Sequence, residues 1–335
     1  MTTAQRQIAR AAGTVMAAFV LSNLVGLLRQ ILVARAFGTS PELGAFIVAQ
    51  RLPDVLFSLV AGGALASAFI PTFTGLLMHN DQPGAWRLAS GVLTLVSLVL
   101  VAASGLAALL APWIVSTVLA AGYDAPTQAL AVHLLRIQLI APTIFGLSGL
   151  VMGILNAHQH FLLPALAPAM LWVGMIFGLV FLVPGLGIDG LAWGYVLGAG
   201  LHLAVQLPGL VRLAQASAAR YTPGLGLDNP VVRQVARLMG PRLLGVAAVQ
   251  LNFVVTTNLA SFMLLDRLDA VSALTYAWQI FTMPQVIIAQ AIAIAALPAF
   301  SAMVARGDLA AMRASLAETL RGILFLALPA TVGLL

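Results

Sequence analysis

The chain has 335 residues, 61% of them hydrophobic and only 8% charged, with a mean hydropathy of +1.04. A soluble domain carries roughly a quarter charged residues, so a soluble fold is excluded and a polytopic membrane protein fits. A net charge of +6 points first to nucleic acid, but no basic patch with interleaved aromatics accompanies it and membrane insertion demands the same excess; with no cysteine, disulfides, thiolate metal sites and cysteine nucleophiles are excluded as well.

The N-terminus, "MTTAQRQIARAAGTVMAAFVLSNLVGLL", has the basic start and apolar run of a signal peptide. The run continues past Arg29 without an evident cleavage site, so it reads as a first transmembrane helix over 11–38. Arg29 interrupts it nine residues from the end, about 13 Å deep at 1.5 Å per residue. The second span, 42–77, starts near Glu42, carries Arg51 at the same depth of about 13 Å, and is broken by Pro53. Asp54 follows Arg51 by three residues and shares its helix face. It reads either as an intrahelical partner that neutralises Arg51 or as a cation-binding acid.

A third span covers 86–121, and a fourth, 126–156, places Arg136 about 15 Å deep. Three arginines at one level have two readings. Each can snorkel to the headgroups, or all three face a common water-filled cavity in the outer half of the membrane. Arg suits phosphate because its planar fork stays charged and donates in pairs. The fifth and sixth spans cover 161–184 and 188–212. Between the fourth and fifth lies "HQH" (158–160); with His133 and His202 it makes no metal constellation, and no metal site is expected.

The polar link 213–234 separates an N-terminal six-helix lobe, 1–212, from a partial C-terminal lobe, 235–335. "NPVVRQVARLMG" within and after it reads as an interfacial helix. Spans over 235–264, 270–304 and 315–335 complete about nine transmembrane helices, and the apolar end at Leu335 makes the second lobe incomplete. "ALASAFIPTFTG" (64–75) matches "AIAIAALPAFSA" (291–302), and Pro53 and Pro284 interrupt the helix upstream of each copy. Six helices apart, the copies share an orientation, as in a parallel repeat; paired broken helices point to a transporter's central site.

With the N-terminus in the cytoplasm, inside connections hold Arg6, Arg10, Arg87, Arg212, Arg220, Arg233, Arg237, Arg306, Arg313 and Arg321, against Arg35 and Arg267 outside. That asymmetry sets the orientation. Outer loops offer no acidic metal-binding motif and the chain no nucleophile–base pair, so a transporter is expected rather than an enzyme.

"VGLLRQILVARAFGTSPELGAFIVAQRLPDVLFSLVAGGALASAFIPTF" resembles the opening of the MurJ (MviN) family, and "APWIV", "GILNAHQHFLLPALAPAML", "QLPGL", "RLMGPRLLG" and "ALPAFS" continue the likeness in order. The resemblance implies an all-α, two-lobed helical bundle of the multidrug/oligosaccharidyl-lipid/polysaccharide (MOP) exporter superfamily in the bacterial inner membrane. It implies flipping of lipid II, the undecaprenyl-diphosphate-linked peptidoglycan precursor, to the outer leaflet by alternating access. The family's cavity arginine falls on Arg29, its "VAR-FG" arginine on Arg35, and a basic residue before "LP" on Arg51. Asn23, Phe57 and Gln279 stand where members carry cavity arginines, and Gly44 and Gly62 where they often carry acids. The substrate-binding set implied is Arg29, Arg51, Arg136, Arg35, Asn23 and Gln279, with Asp54 as a modulating acid. No cofactor is expected, with coupling to the membrane potential or an ion left open. The partners implied are a lipid-linked diphosphate, membrane lipids and cell-wall synthesis machinery. Alternatives are another polyprenyl-diphosphate oligosaccharide, a drug–cation antiporter relying on Asp54, and a non-transporting envelope scaffold.

Overall fold

The computed structural model describes residues 3–58, 69–217, 224, 230–265, 268–284, 296, 300, 303 and 308–334. Prolines set most helix starts. Helix α1 (Thr3–Phe37) stops at Gly38, whose φ of 57° is one that side chains avoid. Helix α2 (Pro41–Ser58) opens on a proline and carries Pro53 inside. Helices α3 (Ile70–Met78), α4 (Gln82–Leu109) and α5 (Ala111–Ile114) each place proline in the first two positions, where a missing N–H costs nothing. Asp81 also caps α4, accepting the Gly84 N–H at 2.8 Å. One π-helical turn, Val115–Leu119, follows α5.

The apolar stretch expected as one fourth span is two helices, α6 (Ala125–Gln138) and α7 (Ala141–Ala157). Pro142 divides them: it has no N–H to bond the Gln138 carbonyl four residues back, and its ring crowds that carbonyl, so the helix restarts at Ala141. Helix α8 (Leu162–Phe177) passes through a second π-helical turn, Gly178–Leu182, into α9 (Val183–Leu186). Helices α10 (Ile188–Ala204), α11 (Leu207–Ala216) and α12 (Pro230–Ser261) follow. Strands β1 (Leu264–Leu265) and β2 (Leu268–Asp269) pair antiparallel as a two-rung hairpin. Last come α13 (Ala270–Pro284) and α14 (Leu309–Leu334).

Met1–Val271 and Ser272–Leu335 form two compact units. Among the described residues, six stretches are long and apolar enough to cross a membrane: Met16–Phe37, Gln82–Leu109, Ala125–Ala157, Leu162–Leu186, Ile188–Ala216 and Ala310–Gly333. The other expected spans fall on α2 with α3, on α12, and on α13 with residues outside the described set. The segment expected as an interfacial helix runs into α12 without a break. Much of each copy of the 64–75 and 291–302 repeat lies outside the described residues, as does Gly62.

In the first unit, α3, α4 and α7 share a core of Phe69, Phe73, Leu88, Val92, Val96, Leu100, Leu150 and Ile154. Leu98, Val99, Val101, Leu106 and Leu109 of α4 are exposed, as suits a lipid-facing surface. The tightest helix pair is α8 with α10. Gly174 and Gly178 face Gly190, Gly194 and Gly198; a Cβ on Gly174 would lie 2.2 Å from the Gly198 Cα, and one on Gly178 2.5 Å from the Gly194 Cα. Two interlocked rows of glycine at four-residue spacing bring the backbones together, the device that replaces hydrophobic driving force in lipid. This pair is the platform for the site, since α1 packs on α8 and α2 touches α10.

Candidate functional site

Helix α1 buries one stripe: Ala18, Ser22 and Val33 are buried, and Gly26 and Arg29 on the same stripe are half-buried. Arg29 therefore lies on the face packed against α8, away from the exposed Leu24, Leu27, Leu28 and Ile31. Trp172 of α8 explains how the charge fits. Gly26 leaves room for the indole, with a Cβ there 3.1 Å from Trp172 Nε1, and the Arg29 guanidinium sits 4.6 Å from the ring centroid. A cation over an indole face is attracted by the ring quadrupole, more strongly where water is excluded.

Helix α2 supplies Gln50, Arg51 and Asp54. Arg51 is half-buried, and its Nε donates to Thr257 Oγ1 of α12 at 3.0 Å. The same hydroxyl donates to the Phe253 carbonyl at 2.7 Å, which turns its lone pairs to the arginine. The Phe253 ring lies 5.6 Å from the Arg51 Cζ. Asp54 Oδ1 accepts from the Tyr195 hydroxyl of α10 at 3.2 Å, and Gln50 also hydrogen-bonds Tyr195. Arg51 and Arg29 both act electrostatically on Asp54. Below this group lies an aromatic floor: Phe145 is 4.9 Å from Phe57, 5.8 Å from Tyr195 and 5.5 Å from His202, centroid to centroid. Beneath it, Ser148 Oγ meets His202 Nδ1 at 2.6 Å and accepts from Gln206 Nε2 at 2.7 Å.

Arg29, Arg51 and Asp54 are thus brought together, with Arg51 turned to Thr257 and Asp54 to Tyr195. Arg136 does not join them. Helix α6 turns Leu134, Leu135 and Gln138 inward and leaves Arg136 on its exposed face, where Nε donates to the Ala108 carbonyl at 3.2 Å. A cation at the C-terminal turn of α4 complements that helix's dipole. Arg35 is exposed in the last turn of α1, and Asn23 is exposed and donates to the Phe19 carbonyl of its own helix at 2.9 Å. Gln279 is half-buried on α13 in the second unit. No cluster of three or more metal-ligating side chains occurs among the described residues. Sequence reasoning missed Trp172, Tyr195, Thr257 and Gln50; a lone tyrosine in the glycine-rich "GYVLGAGLH" was the one available signal.

A second polar constellation closes the end of the first unit that carries Gly38. Asp269 is buried there; its N–H donates to the Thr39 carbonyl at 2.9 Å, and its Oδ2 accepts from the Tyr123 hydroxyl at 2.5 Å. Gly44 makes this possible, since a Cβ at that position would collide with the Asp269 carboxylate. Gly122 N–H donates to Ser261 Oγ at 3.0 Å. Burial and the adjacent Asp269 carboxylate push the Tyr123 hydroxyl well above its ordinary pKa, so it remains a donor.

The sequence profile of the family described as lipid II flippase MurJ matches residues 33–335. A lipid II flippase MurJ from Burkholderia cenocepacia is 34% identical over 331 residues, which are 97% of this chain and 63% of that protein. A probable lipid II flippase MurJ from Rhizobium meliloti is 31% identical over 96% of this chain and 60% of its own length. The chain thus spans 60–63% of the length of these curated relatives. Among solved structures, a lipid II flippase MurJ in an inward closed conformation superposes with a TM-score of 0.78 at 25% identity, over 96% of this chain and 64% of that one. A MOP superfamily transporter from Pyrococcus furiosus shares the fold at a TM-score of 0.62 and 16% identity, over 97% of this chain and 69% of that one.

Proposed function

Because this chain belongs to the MurJ family, we propose that it serves to move lipid II, or a polyprenyl diphosphate of the same headgroup chemistry, across a bacterial cytoplasmic membrane. The observation that carries this reading is two guanidiniums, Arg29 of α1 and Arg51 of α2, that both act electrostatically on the one carboxylate Asp54. Two guanidiniums against one carboxylate leave a net positive site, which suits a diphosphate. Arg29 is held against Trp172, 4.6 Å from the ring centroid, and supplies one of the two charges. Arg51 spends Nε on Thr257, which fixes its plane, and the Nη groups are the ones assigned to phosphate. The polyprenyl tail stays in lipid along the exposed apolar faces, and translocation is by alternating access.

In this reading the N-terminus is cytoplasmic and the Gly38 end faces outward, as the arginine asymmetry requires. Arg35, Asn23 and Gln279 are assigned secondary contacts along the route, on the family likeness alone. Arg136 is assigned to α4 rather than to the headgroup. The partners implied are the lipid-linked diphosphate, the surrounding lipids and cell-wall synthesis machinery.

The test is outer-leaflet exposure of labelled lipid II in cells that depend on this protein, with membrane abundance measured in parallel. Arg29→Ala and Arg51→Ala are expected to abolish translocation at normal abundance, and Arg29→Lys to retain part of it. A charge-assisted hydrogen bond is worth about 1.5–3 kcal/mol, so its loss weakens headgroup binding roughly 10- to 100-fold. Wild-type translocation by both alanine variants would refute the clamp.

A further inference from the structure

Asp54 is a carboxylate in the interior of α2, one turn on from Arg51. Arg51 donates its Nε to Thr257, and Arg29 stacks on Trp172. The acid instead accepts a hydrogen bond from Tyr195 on Oδ1 and feels both guanidiniums through space. We propose that Asp54 is a proton-binding site whose occupancy sets the affinity of the Arg29–Arg51 pair for the diphosphate; this rests on the phosphate-clamp reading above.

The charges that face Asp54 can be counted element by element. Its own helix contributes Arg51, α1 contributes Arg29, and α10 contributes Tyr195. Helix α7 presents Phe145 in this region, α12 presents Thr257 and Phe253, and Gln138 of α6 is turned to the Phe46 carbonyl. His202, two turns along α10 from Tyr195, is engaged with Ser148. Asp269 meets α2 at Gly44, about 15 Å up the helix from Asp54. Arginine does not deprotonate in proteins and free tyrosine titrates near 10. Among Arg29, Arg51, Tyr195 and Asp54, the carboxyl is therefore the group assigned to exchange a proton.

With Asp54 ionised, the three charges sum to +1; with a proton bound they sum to +2, which matches a diphosphate dianion. The proton comes from bulk solvent and settles on Oδ2, since the Tyr195 O–H already occupies Oδ1. Binding of the headgroup draws a proton onto Asp54, and loss of that proton weakens the grip and helps release. One charge at this range, in a partly hydrated site, changes anion affinity roughly 5- to 50-fold. The thermodynamic coupling is reciprocal, so the ligand must take up protons as it binds.

The experiment measures binding of farnesyl diphosphate, a soluble polyprenyl diphosphate, to the purified protein from pH 5 to 9. Wild type is compared with Asp54→Asn, which mimics the protonated acid in charge and keeps an acceptor for Tyr195. Comparing the two at each pH cancels the ligand's own titration. Wild-type affinity is expected to fall relative to Asp54→Asn as pH rises, by roughly 5- to 50-fold, and to converge with it at low pH. Calorimetry in buffers of different ionisation enthalpy should show an extra proton taken up by wild type alone. Parallel curves for the two proteins would overturn the proton site while leaving the clamp intact. A wild-type affinity that follows sodium concentration at fixed pH would overturn it in favour of a metal cation. Absence of diphosphate binding, or binding unchanged by Arg29→Ala and Arg51→Ala, would sink the clamp reading and this proposal with it. Should Asp54→Asn fail to give a monodisperse protein, Tyr195→Phe replaces it. Removing the donor on Oδ1 favours the protonated acid, so the wild-type affinity loss should move to higher pH; an unmoved curve counts against the proposal.

Discussion

Arg29 is tolerated because α1 turns it to Trp172 and not to lipid, with Gly26 one turn earlier giving the indole its place. Arg51 is tolerated for a different reason: a buried threonine hydroxyl on α12 whose own proton is already committed. That dependence gives a sharp test. Thr257→Val keeps the shape and removes the acceptor, leaving a half-buried donor to the cost of about 1.5–3 kcal/mol of a lost charged hydrogen bond. Its thermal midpoint in detergent should fall, and Thr257→Ser, which restores the oxygen, should recover most of the loss. Equal midpoints for Val and Ser would mean that Arg51 does not depend on this bond. Arg29, Arg51 and Asp54 were legible in the sequence because charges stand out in apolar helices. Their partners were not: Thr257 lies 206 residues from Arg51, and Tyr195 lies 141 from Asp54. Ser, Thr and Tyr are unremarked in membrane helices until folding brings them to a charge. Arg136 shows the complementary failure, since depth along a helix says nothing about which face a residue occupies, and it faces outward from α6.

At the scale of elements, proline and glycine were the readable letters. Proline starts α4, α6, α7 and α11 within their first two positions, but of these four only the start at Pro126 was read from the sequence. The turn at Leu139–Ile140 was hidden because both flanking helices are apolar and hydropathy averages across them. Glycine carries the packing of α8 on α10, and only the structure separates the glycines that matter from those that do not. Gly198 and Gly200 lie two residues apart on one helix. A Cβ on Gly198 would sit 2.4 Å from the Leu171 carbonyl oxygen, whereas one on Gly200 would meet nothing within 4 Å. Gly198→Leu is therefore expected to abolish the monodisperse peak in fluorescence-detected size exclusion, and Gly200→Leu to leave it in place. Similar profiles for the two would mean that backbone contact does not hold this pair together.

For the whole molecule, the proposed sidedness rests on the arginine count, and the lack of cysteine gives a clean way to test it. The exposed residues Glu42 and Asp124 belong to the Gly38 end, and His79 and Gln159 to turns one span away from it. Cysteines at Glu42 and Asp124 should react with an impermeant reagent in intact cells, and cysteines at His79 and Gln159 only after permeabilisation; the reverse pattern would invert the topology. The same chemistry reaches the closed Gly38 end. Thr39, Gly44 and Tyr123 all meet at Asp269, so their contacts are lost in one event rather than one after another. In the proposed transport cycle such a closure acts as a timer: its strength sets how long the end stays shut, more than where the helices come to rest. A cysteine at buried Leu43, beside Gly44, would react only when that end parts. Removing the Tyr123 hydroxyl as Tyr123→Phe should hasten its labelling roughly 10- to 100-fold, the kinetic equivalent of one hydrogen bond to a charged group.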